Sequence, residues 1–212
     1  MAFSKYSDML QDVLPTLKAD PSQPMTLYAI KRSVIEFCAG SWIWKVVGDP
    51  IDVTAYNGAY DLEPPNGCDI SAVTAVTYCG MPLEARTVEW LNQHVPDWTT
   101  YPRRPRFYTQ VDTEQVILAP TPDENHTGAL VVTMALQPSH LSTTFPRWIY
   151  NQYIYDLAIG AMARLMMMTN KPWGDAKEGL DLRAQFDAAI ANARASSMAA
   201  LGSAPVRATS QH

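Results

Sequence analysis

The stretch RLMMMTNKPWGDAKEGLDLR, residues 164–183, decides the fold prediction for this chain of 212 residues. Apolar residues at helical spacing lead into it from residue 147, and Asn170-Lys171-Pro172 ends the pattern. Asp175-Ala176-Lys177-Glu178 then has the spacing of a capping box, in which side chains accept hydrogen bonds from the first backbone N–H groups of a helix. The stretch therefore predicts two helices joined by a tight turn, with Trp173 covering the joint.

Working outward from this turn, the chain predicts helices at both ends and strands between them. Residues 25–44 carry apolar side chains at helical spacing, whereas residues 46–145 are short β-branched segments separated by Pro and Gly turns. The polar loop TPDENHT, residues 121–127, is expected to join two of these strands as a hairpin. We predict an α+β fold in which N- and C-terminal helices form a bundle with an inserted antiparallel β lobe. The predicted domains are residues 1–45 with 146–199 (helical bundle), residues 46–145 (β-rich lobe) and residues 200–212 (flexible C-terminal tail).

The composition is that of an acidic globular protein. Its net charge of -5 argues against wrapping by nucleic acid, although a negative surface suits a passage through which DNA slides. No stretch approaches the roughly 20 apolar residues of a membrane helix, and the N-terminus lacks the apolar core of a signal peptide. Cys38, Cys68 and Cys79 form no CxxC motif, which favours reduced thiols. We therefore expect a protein that folds in a reducing cytoplasm, without a cofactor, a metal or a membrane partner.

An acidic region is the first of two charged features that bear on function. Residues 46–85 contain no Lys or Arg, and their carboxylates are spread over turns rather than held at the close spacing of a hard-metal site. In the first strand region these carboxylates belong to Asp49, Asp52, Asp61, Glu63 and Asp69. A solvated face is the first interpretation and the lining of a DNA channel is the second. A metal-dependent hydrolase or nuclease using Asp49, Asp52 and Asp69 is the third.

The second charged feature is the run YPRRPRFY, residues 101–108, which sets three arginines among aromatic and proline residues. Arg103, Arg104 and Arg106 have the chemistry to grip phosphates or stack on bases. Arginine and tyrosine are equally typical of protein interfaces. Because the rest of the chain is acidic, we favour contact with an acidic surface, such as residues 46–85 of another copy. Such a contact builds rings or stacks, and nucleic-acid binding is the minority interpretation.

In their order, these elements resemble the head-to-tail adaptor proteins of tailed bacteriophages, especially the tail tubular protein A group of short-tailed phages. The most specific piece is Ala161-Met162-Ala163-Arg164-Leu165-Met166 followed by Lys171-Pro172-Trp173, which resembles the central helix and helix turn of phage adaptors. The other matching pieces are Val13-Leu14-Pro15, the aromatic cluster from Phe37 to Trp44, Tyr60-Asp61-Leu62, Pro65-Asn66-Gly67, Cys79-Gly80-Met81 and Ile117-Leu118-Ala119-Pro120-Thr121-Pro122. The resemblance covers residues 6–198, nearly the whole chain.

The resemblance implies a non-enzymatic virion protein. It would form a ring, usually dodecameric, that docks on the portal, joins it to the tail and extends the DNA channel for genome retention and ejection. The expected partners are other copies of the chain, the portal protein, tail or nozzle proteins, and DNA that passes without specific binding. The expected location is the head–tail junction of the virion, after assembly in the host cytoplasm. The alternatives are a head-completion or tail-terminator ring, the hydrolase, and a DNA-binding module whose binding falls steeply with salt.

The expected site residues fall into three sets. By resemblance, the C-terminal segment docks between portal subunits, and its residues here are Ala204, Pro205, Val206, Arg207, Ala208, Thr209, Ser210, Gln211 and His212. The subunit interface is expected at Arg103, Arg104, Arg106, Tyr108 and Trp173. The channel lining is expected at Asp49, Asp52, Asp61 and Glu63. The helices at residues 25–44 and 147–169 are expected to form the wall of the ring.

Overall fold

This computed structural model describes residues 2–202, which form both helices and strands. The helices are α1 (Leu10–Val13), α2 (Gln23–Ser41), α3 (Val88–His94), α4 (Arg147–Met166) and α5 (Ala176–Gly202). The strands are β1 (Phe3–Lys5), β2 (Lys45–Val47), β3 (Ile51–Val53), β4 (Ala59–Asp61), β5 (Cys68–Tyr78), β6 (Met81–Pro82), β7 (Glu84–Ala85), β8 (Phe107–Thr109), β9 (Gln115–Ala119), β10 (His126–Pro138) and β11 (Thr144–Pro146). The α+β class predicted from the sequence is confirmed.

The chain divides into two compact units. Among the described residues, unit 1 contains residues 2–43 and 137–202, and unit 2 contains Trp44–Leu136. Unit 1 therefore holds α1, α2, α4 and α5, together with β1 and β11, which pair in an antiparallel two-stranded sheet. Unit 2 holds α3 and the remaining strands, except that β10 extends two residues past its end.

In unit 1, α2, α4 and α5 pack against one another through apolar side chains. Ile30, Phe37, Leu157 and Phe186 are completely buried, and the Phe37 and Phe186 rings lie 6.1 Å apart. The Ser33 hydroxyl of α2 donates a hydrogen bond of 2.7 Å to the backbone carbonyl of Leu157 in α4. A side chain bonded to the backbone of a neighbouring helix requires the two helices to approach closely.

Gly160 of α4 allows this approach. A methyl group on its Cα would overlap the Ser33 hydroxyl oxygen and lie 2.5 Å from a ring carbon of Phe186. Protein interiors are packed too densely to absorb such an overlap without movement of the surrounding atoms. The close contact of α4 with α2 and α5 therefore depends on a residue with no side chain at this position.

A charged cluster ties the same three helices together. Glu36 of α2 accepts hydrogen bonds from Arg164 of α4 and, at 2.6 Å, from Arg183 of α5. Arg183 also forms a 2.9 Å ion pair with Asp187, one turn further along α5. Burial raises the pKa of Glu36, but the two guanidinium groups outweigh burial, so the pKa lies below its ordinary value. Glu36 is therefore held as a carboxylate between two cations.

The turn between α4 and α5 follows the sequence prediction in outline. α4 ends at Met166 rather than at residue 169, and α5 begins at Ala176. The Asp175 carboxylate accepts a hydrogen bond of 3.2 Å from the Glu178 N–H, so the Asp175 part of the predicted capping box is confirmed. Asp175 also forms a 2.7 Å salt bridge with Lys18. Trp173 in the turn is half-buried.

The ends of α2 and α5 differ from their predicted positions. α2 ends at Ser41 rather than at residue 44, because Trp42 adopts the left-handed conformation (φ 53°) that ends helices. The guanidinium of Arg194 in α5 lies 3.8 Å from the Trp42 ring centroid, and this contact holds the turn. α5 continues to Gly202, so residues 200–202 of the predicted tail are helical. The rest of that tail lies outside the described residues.

Unit 2 contains two sheets. In the first sheet the strand order is β2-β10-β5-β6, and β3 also pairs with β10. In the second sheet the order is β4-β9-β8-β7, in which all pairs are antiparallel except the parallel pair β7–β8. β9 therefore lies between β4 and β8. Its first and last residues, Gln115 and Ala119, mark two opposite ends of the second sheet along the strand direction.

The prediction of a hairpin at residues 121–127 is wrong, because β9 and β10 lie in different sheets. β9 instead forms its hairpin with β8. Pro120 and Pro122 follow β9 directly, and proline lacks the N–H that a continuing strand ladder requires. The chain therefore leaves the second sheet at these prolines and enters the first sheet at β10.

Candidate subunit interface

The acidity of the protein is concentrated in unit 2. Unit 2 has twelve acidic and five basic residues, whereas the rest of the chain has nine acidic and eleven basic residues. The net charge of -5 therefore combines -7 on unit 2 with +2 on the rest. Attraction toward a cationic partner is consequently strongest at unit 2.

A groove of about 640 Å³ in unit 2 brings together three of the four predicted channel-lining residues, Asp49, Asp61 and Glu63. Ile51 and Met134 contribute apolar surface to its lining. We call this feature the acidic groove. Carboxylates beside apolar surface suit an arginine or lysine side chain, whose apolar stem and charged head make both kinds of contact.

The fourth predicted channel residue, Asp52, has a structural contact instead. Its carboxylate accepts a hydrogen bond of 2.7 Å from the Gly128 N–H, where the β3–β10 register shifts. Asp52 is not among the residues that line the acidic groove. Within residues 2–202, no group of three or more His, Cys, Asp or Glu side chains is arranged to hold a metal ion. The structure therefore does not assemble Asp49, Asp52 and Asp69 into the metal site that the hydrolase alternative requires.

The three predicted interface arginines are exposed beside the second sheet. Arg103 and Arg106 donate backbone hydrogen bonds to the carbonyls of Thr121 (2.8 Å) and Ala119 (3.1 Å). This segment therefore runs alongside β9 and its continuation. Among the described residues, no carboxylate lies within 4.0 Å of the Arg103, Arg104 or Arg106 side chains. We call these three residues, with positive charges that no salt bridge neutralises, the arginine corner.

The other two residues of the predicted interface set lie elsewhere. Tyr108 is only 7% exposed, and burial raises the pKa of its phenol. Its side chain therefore belongs to the interior of unit 2 rather than to a surface that another copy can reach. Trp173 lies in unit 1, in the turn between α4 and α5, and its indole nitrogen is shielded from solvent.

The acidic groove and the arginine corner lie at opposite ends of β9 and on opposite sides of it. On the β4 side, Leu62 donates a hydrogen bond of 2.7 Å to the carbonyl of Glu114, just before β9 begins. On the β8 side, Arg103 is bonded to Thr121, just after β9 ends. About 20 Å of extended chain separates these two points. The two charged features are therefore too far apart to neutralise each other within one copy.

A third feature, which sequence reasoning missed, is a stack formed by two side chains of α3 and by Arg86, which precedes the helix. The rings of Trp90 and His94 are nearly parallel, with centroids 4.4 Å apart. The guanidinium of Arg86 lies 4.7 Å from the Trp90 ring centroid. Trp90 and His94 are four positions apart on α3, the spacing at which neighbours on a helix meet. The spacing of Trp90 and His94 was the signal available in the sequence.

Comparison with protein family models shows the family to which this chain belongs. The family model for the SU10 adaptor protein matches residues 4–209. This chain belongs to the SU10 adaptor protein family. No curated protein matches it.

Membership identifies the SU10-type adaptor as a viral protein of the bacteriophage head–tail junction. The resemblance to phage head-to-tail adaptors is thereby confirmed, and the narrower assignment to the tail tubular protein A group stays a prediction. The family is one of structural adaptors, which is consistent with a non-enzymatic role.

Two further predictions for this SU10-type adaptor concern membranes and the portal. No helix within residues 2–202 is both long enough and apolar enough to cross a membrane. The predicted portal-binding residues, 204–212, all lie outside the described residues. Portal binding by this segment therefore stays a prediction.

Proposed function

We propose that this adaptor forms a dodecameric ring that docks on the portal, joins it to the tail and extends the DNA channel for genome retention and ejection. Membership of a phage adaptor family supports association with portal and tail components and with other copies of the chain. The observation that carries the ring is the placement of the acidic groove and the arginine corner. They are opposite in charge and lie at opposite ends of β9.

Two complementary surfaces on different parts of one molecule favour head-to-tail association. Each copy offers its arginine corner to one neighbour and its acidic groove to the other, and such contacts close into a ring when the rotation between copies permits. A single exposed ion pair contributes little, about 0–1 kcal/mol. Three arginines facing a cluster of carboxylates form a network, and repetition around a ring adds avidity.

The remaining parts of the chain receive roles within this ring. The N- and C-terminal helices, including α2 and α4, form a bundle that makes the wall of the ring. Carboxylates of unit 2 that are not covered by a neighbour line the channel, where negative charge lets DNA slide without sticking. Residues 204–212 bind between portal subunits, as the resemblance to phage adaptors implies.

The decisive experiment is the native mass of the purified protein, alone and mixed with the portal ring of the same phage. We expect a complex of defined copy number with the portal. Removal of residues 204–212 should abolish that complex, while circular dichroism and thermal melting of the shortened protein remain as in the full chain. A protein that stays monomeric with and without the portal would contradict the ring.

Reversal of the arginine corner tests the contact between copies. The variant Arg103→Glu, Arg104→Glu, Arg106→Glu should form the ring at least tenfold more weakly, because each contact then opposes like charges. A matched control, Lys5→Glu, Arg147→Glu, Lys177→Glu, changes the net charge equally at exposed positions of unit 1 that form no salt bridge among the described residues. Sedimentation velocity at several protein concentrations measures both.

Reversing the charges of the acidic groove tests the same contact from the other side. The variant Asp49→Arg, Asp61→Arg, Glu63→Arg should also fail to assemble alone. Mixing it with the arginine-reversed variant should restore the ring, because each reversed corner then meets a reversed groove. Assembly of the arginine-reversed variant at wild-type strength would remove this contact from the proposal.

A further inference from the structure

Two Asn-Gly sequences occur in the chain, Asn57-Gly58 and Asn66-Gly67, and both lie in unit 2. Asparagine is among the thermolabile residues of proteins. When glycine follows it, the backbone nitrogen of the glycine can attack the asparagine side chain, because glycine has no Cβ to shield that nitrogen. The hydrogen bonds and the packing around each pair decide whether the folded protein permits this attack.

The Asn66-Gly67 pair lies in an exposed turn that precedes β5. The Cys68 N–H donates a hydrogen bond of 3.1 Å to the carbonyl of Pro65, so Asn66 and Gly67 form the tip of the turn. Gly67 has a φ of +80°, and a Cβ added to it would meet no atom within 4 Å apart from its chain neighbours. Among the described residues, neither the Asn66 side chain nor the Gly67 N–H has a hydrogen-bond partner. The two reacting groups are therefore free to approach each other.

The Asn57-Gly58 pair, by contrast, is held by hydrogen bonds to its neighbours and to β9. The Asn57 side-chain oxygen accepts a hydrogen bond of 3.3 Å from the Ala59 N–H, and its backbone carbonyl accepts one of 2.7 Å from the Tyr60 hydroxyl. The Gly58 carbonyl accepts a hydrogen bond of 2.8 Å from the Leu118 N–H. Attack within this pair requires these bonds to open, and local opening of a hydrogen-bonded segment costs free energy.

The open pair lies at the acidic groove. Asn66 is one of the residues that line this groove, together with Asp49, Asp61 and Glu63. Because the Asn66 side chain is uncharged, a carboxylate at this position would add one negative charge to those that the groove already contains. The chemistry of Asn66 is therefore linked to the charge of the acidic groove.

We propose that Asn66 is a site of spontaneous deamidation, through which the acidic groove gains a negative charge as the protein ages. The Gly67 nitrogen forms a bond to the side-chain carbonyl carbon of Asn66. The bond from that carbon to the amide nitrogen breaks, and ammonia leaves with the proton of the Gly67 N–H. One water molecule then opens the resulting cyclic succinimide to aspartate or, at its other carbonyl, to isoaspartate. Both products carry a carboxylate where Asn66 had an amide.

The modification is independent of the proposed ring, whereas its effect on assembly rests on that ring. Added negative charge in the acidic groove strengthens the attraction to the arginine corner of a neighbouring copy. Asn66→Asp reproduces the aspartate product, and Asn66→Gln keeps a neutral amide. The dissociation constant of the assembly, measured by sedimentation velocity, should be about threefold lower for Asn66→Asp than for Asn66→Gln, the gain expected from one more exposed ion pair.

Peptide mapping measures the modification at each of the two sites. Folded wild-type protein is incubated at mildly alkaline pH, which promotes loss of the proton from the attacking nitrogen, and samples are digested with chymotrypsin. Cleavage after Tyr60 places Asn57 and Asn66 on different peptides, and mass spectrometry gives the fraction of each that has changed from amide to acid. Since only Asn66 is free to reach the attacking nitrogen, we expect it to convert at least about tenfold faster than Asn57.

The same incubation in urea is the control for the role of the fold. Unfolding removes the hydrogen bonds that hold Asn57, so the two sites should convert at similar rates there. If Asn57 converts as fast as Asn66 in the folded protein, or if Asn66 converts in urea but not in the folded protein, the proposed site is overturned.

The remaining outcomes separate the modification from the ring. If Asn66 converts as expected but Asn66→Asp and Asn66→Gln assemble equally well, the modification stands and its effect on assembly is overturned. If wild-type protein forms no multi-copy complex, alone or with the portal, the proposed ring is overturned, and the peptide map still decides the modification. Rapid conversion of Asn66 together with tighter assembly of Asn66→Asp supports both parts.

Discussion

Gly160→Ala is expected to destabilise the protein by about 3 kcal/mol, toward the upper end of the cost of overpacking a core. The added methyl group would overlap the Ser33 hydroxyl and press on the Phe186 ring. Relief requires α4 to move away from α2 and α5, which also weakens the 2.7 Å bond from Ser33 to Leu157. Urea denaturation followed by circular dichroism measures the change through the shift of its midpoint.

A matched glycine and a double variant make this test specific. At Gly58 an added methyl group meets its nearest atoms at 3.5 Å, an ordinary contact, so Gly58→Ala should change stability by less than about 0.5 kcal/mol. Combining Gly160→Ala with Phe186→Leu should cost less than the sum of the single changes, because the ring that the methyl group strikes has been removed. Unchanged stability in Gly160→Ala would show that the helices do not depend on this close contact.

Glu36→Gln is expected to cost about 2 kcal/mol at neutral pH. The change leaves Arg164 and Arg183 beside each other without their shared carboxylate. Removing one partner of a fully buried pair costs about 3–5 kcal/mol, and the 28% exposure of the Glu36 side chain reduces that figure through solvent screening. Glu178→Gln, an exposed change on α5, is the matched control and should have little effect.

The dependence of this loss on pH has a definite sign. The folded state lowers the pKa of Glu36 below its ordinary value of 4.5, so the unfolded chain takes up a proton first as the pH falls. The stabilisation by Glu36 is therefore complete well above pH 4.5 and is lost as the pH falls through the folded-state pKa. Urea midpoints of wild type and Glu36→Gln should differ most at pH 7 and converge as the pH falls through the folded-state pKa of Glu36. A constant difference across this range would contradict the role of the ionised carboxylate.

Local signals in the sequence predicted the helical hairpin well. Pro172 and the Asp175 cap act on residues within one turn of themselves, so their effects are readable from a short window. The same reasoning placed α4 and α5 and marked residues 46–145 as a region of strands. The end of α2 was predicted less accurately, because Trp42 takes a left-handed conformation, and its ring contacts Arg194, a residue far along the chain.

Features built from distant segments were not predictable in this way. The acidic groove joins Asp49, Asp61 and Met134, and the clamp on Glu36 joins residues of three helices. The sequence correctly marked residues 46–85 as acidic and residues 103–106 as basic. Which carboxylates lie together, and on which side of β9 they lie, depends on strand order. The incorrect hairpin between β9 and β10 shows that strand order was the missing information.

The opposite placement of the acidic groove and the arginine corner also bears on genetics. In the proposed ring, a copy that keeps the acidic groove but has lost the arginine corner accepts one neighbour and has no contact surface for the next. Added to a growing assembly, such a copy stops growth at its defective face, as a chain terminator stops a polymer. The fraction of rings that fail to close exceeds the fraction of defective copies, because one defective copy prevents a whole ring from closing. We therefore expect a phage gene with this defect to be dominant over the normal gene when both are expressed in one infected cell.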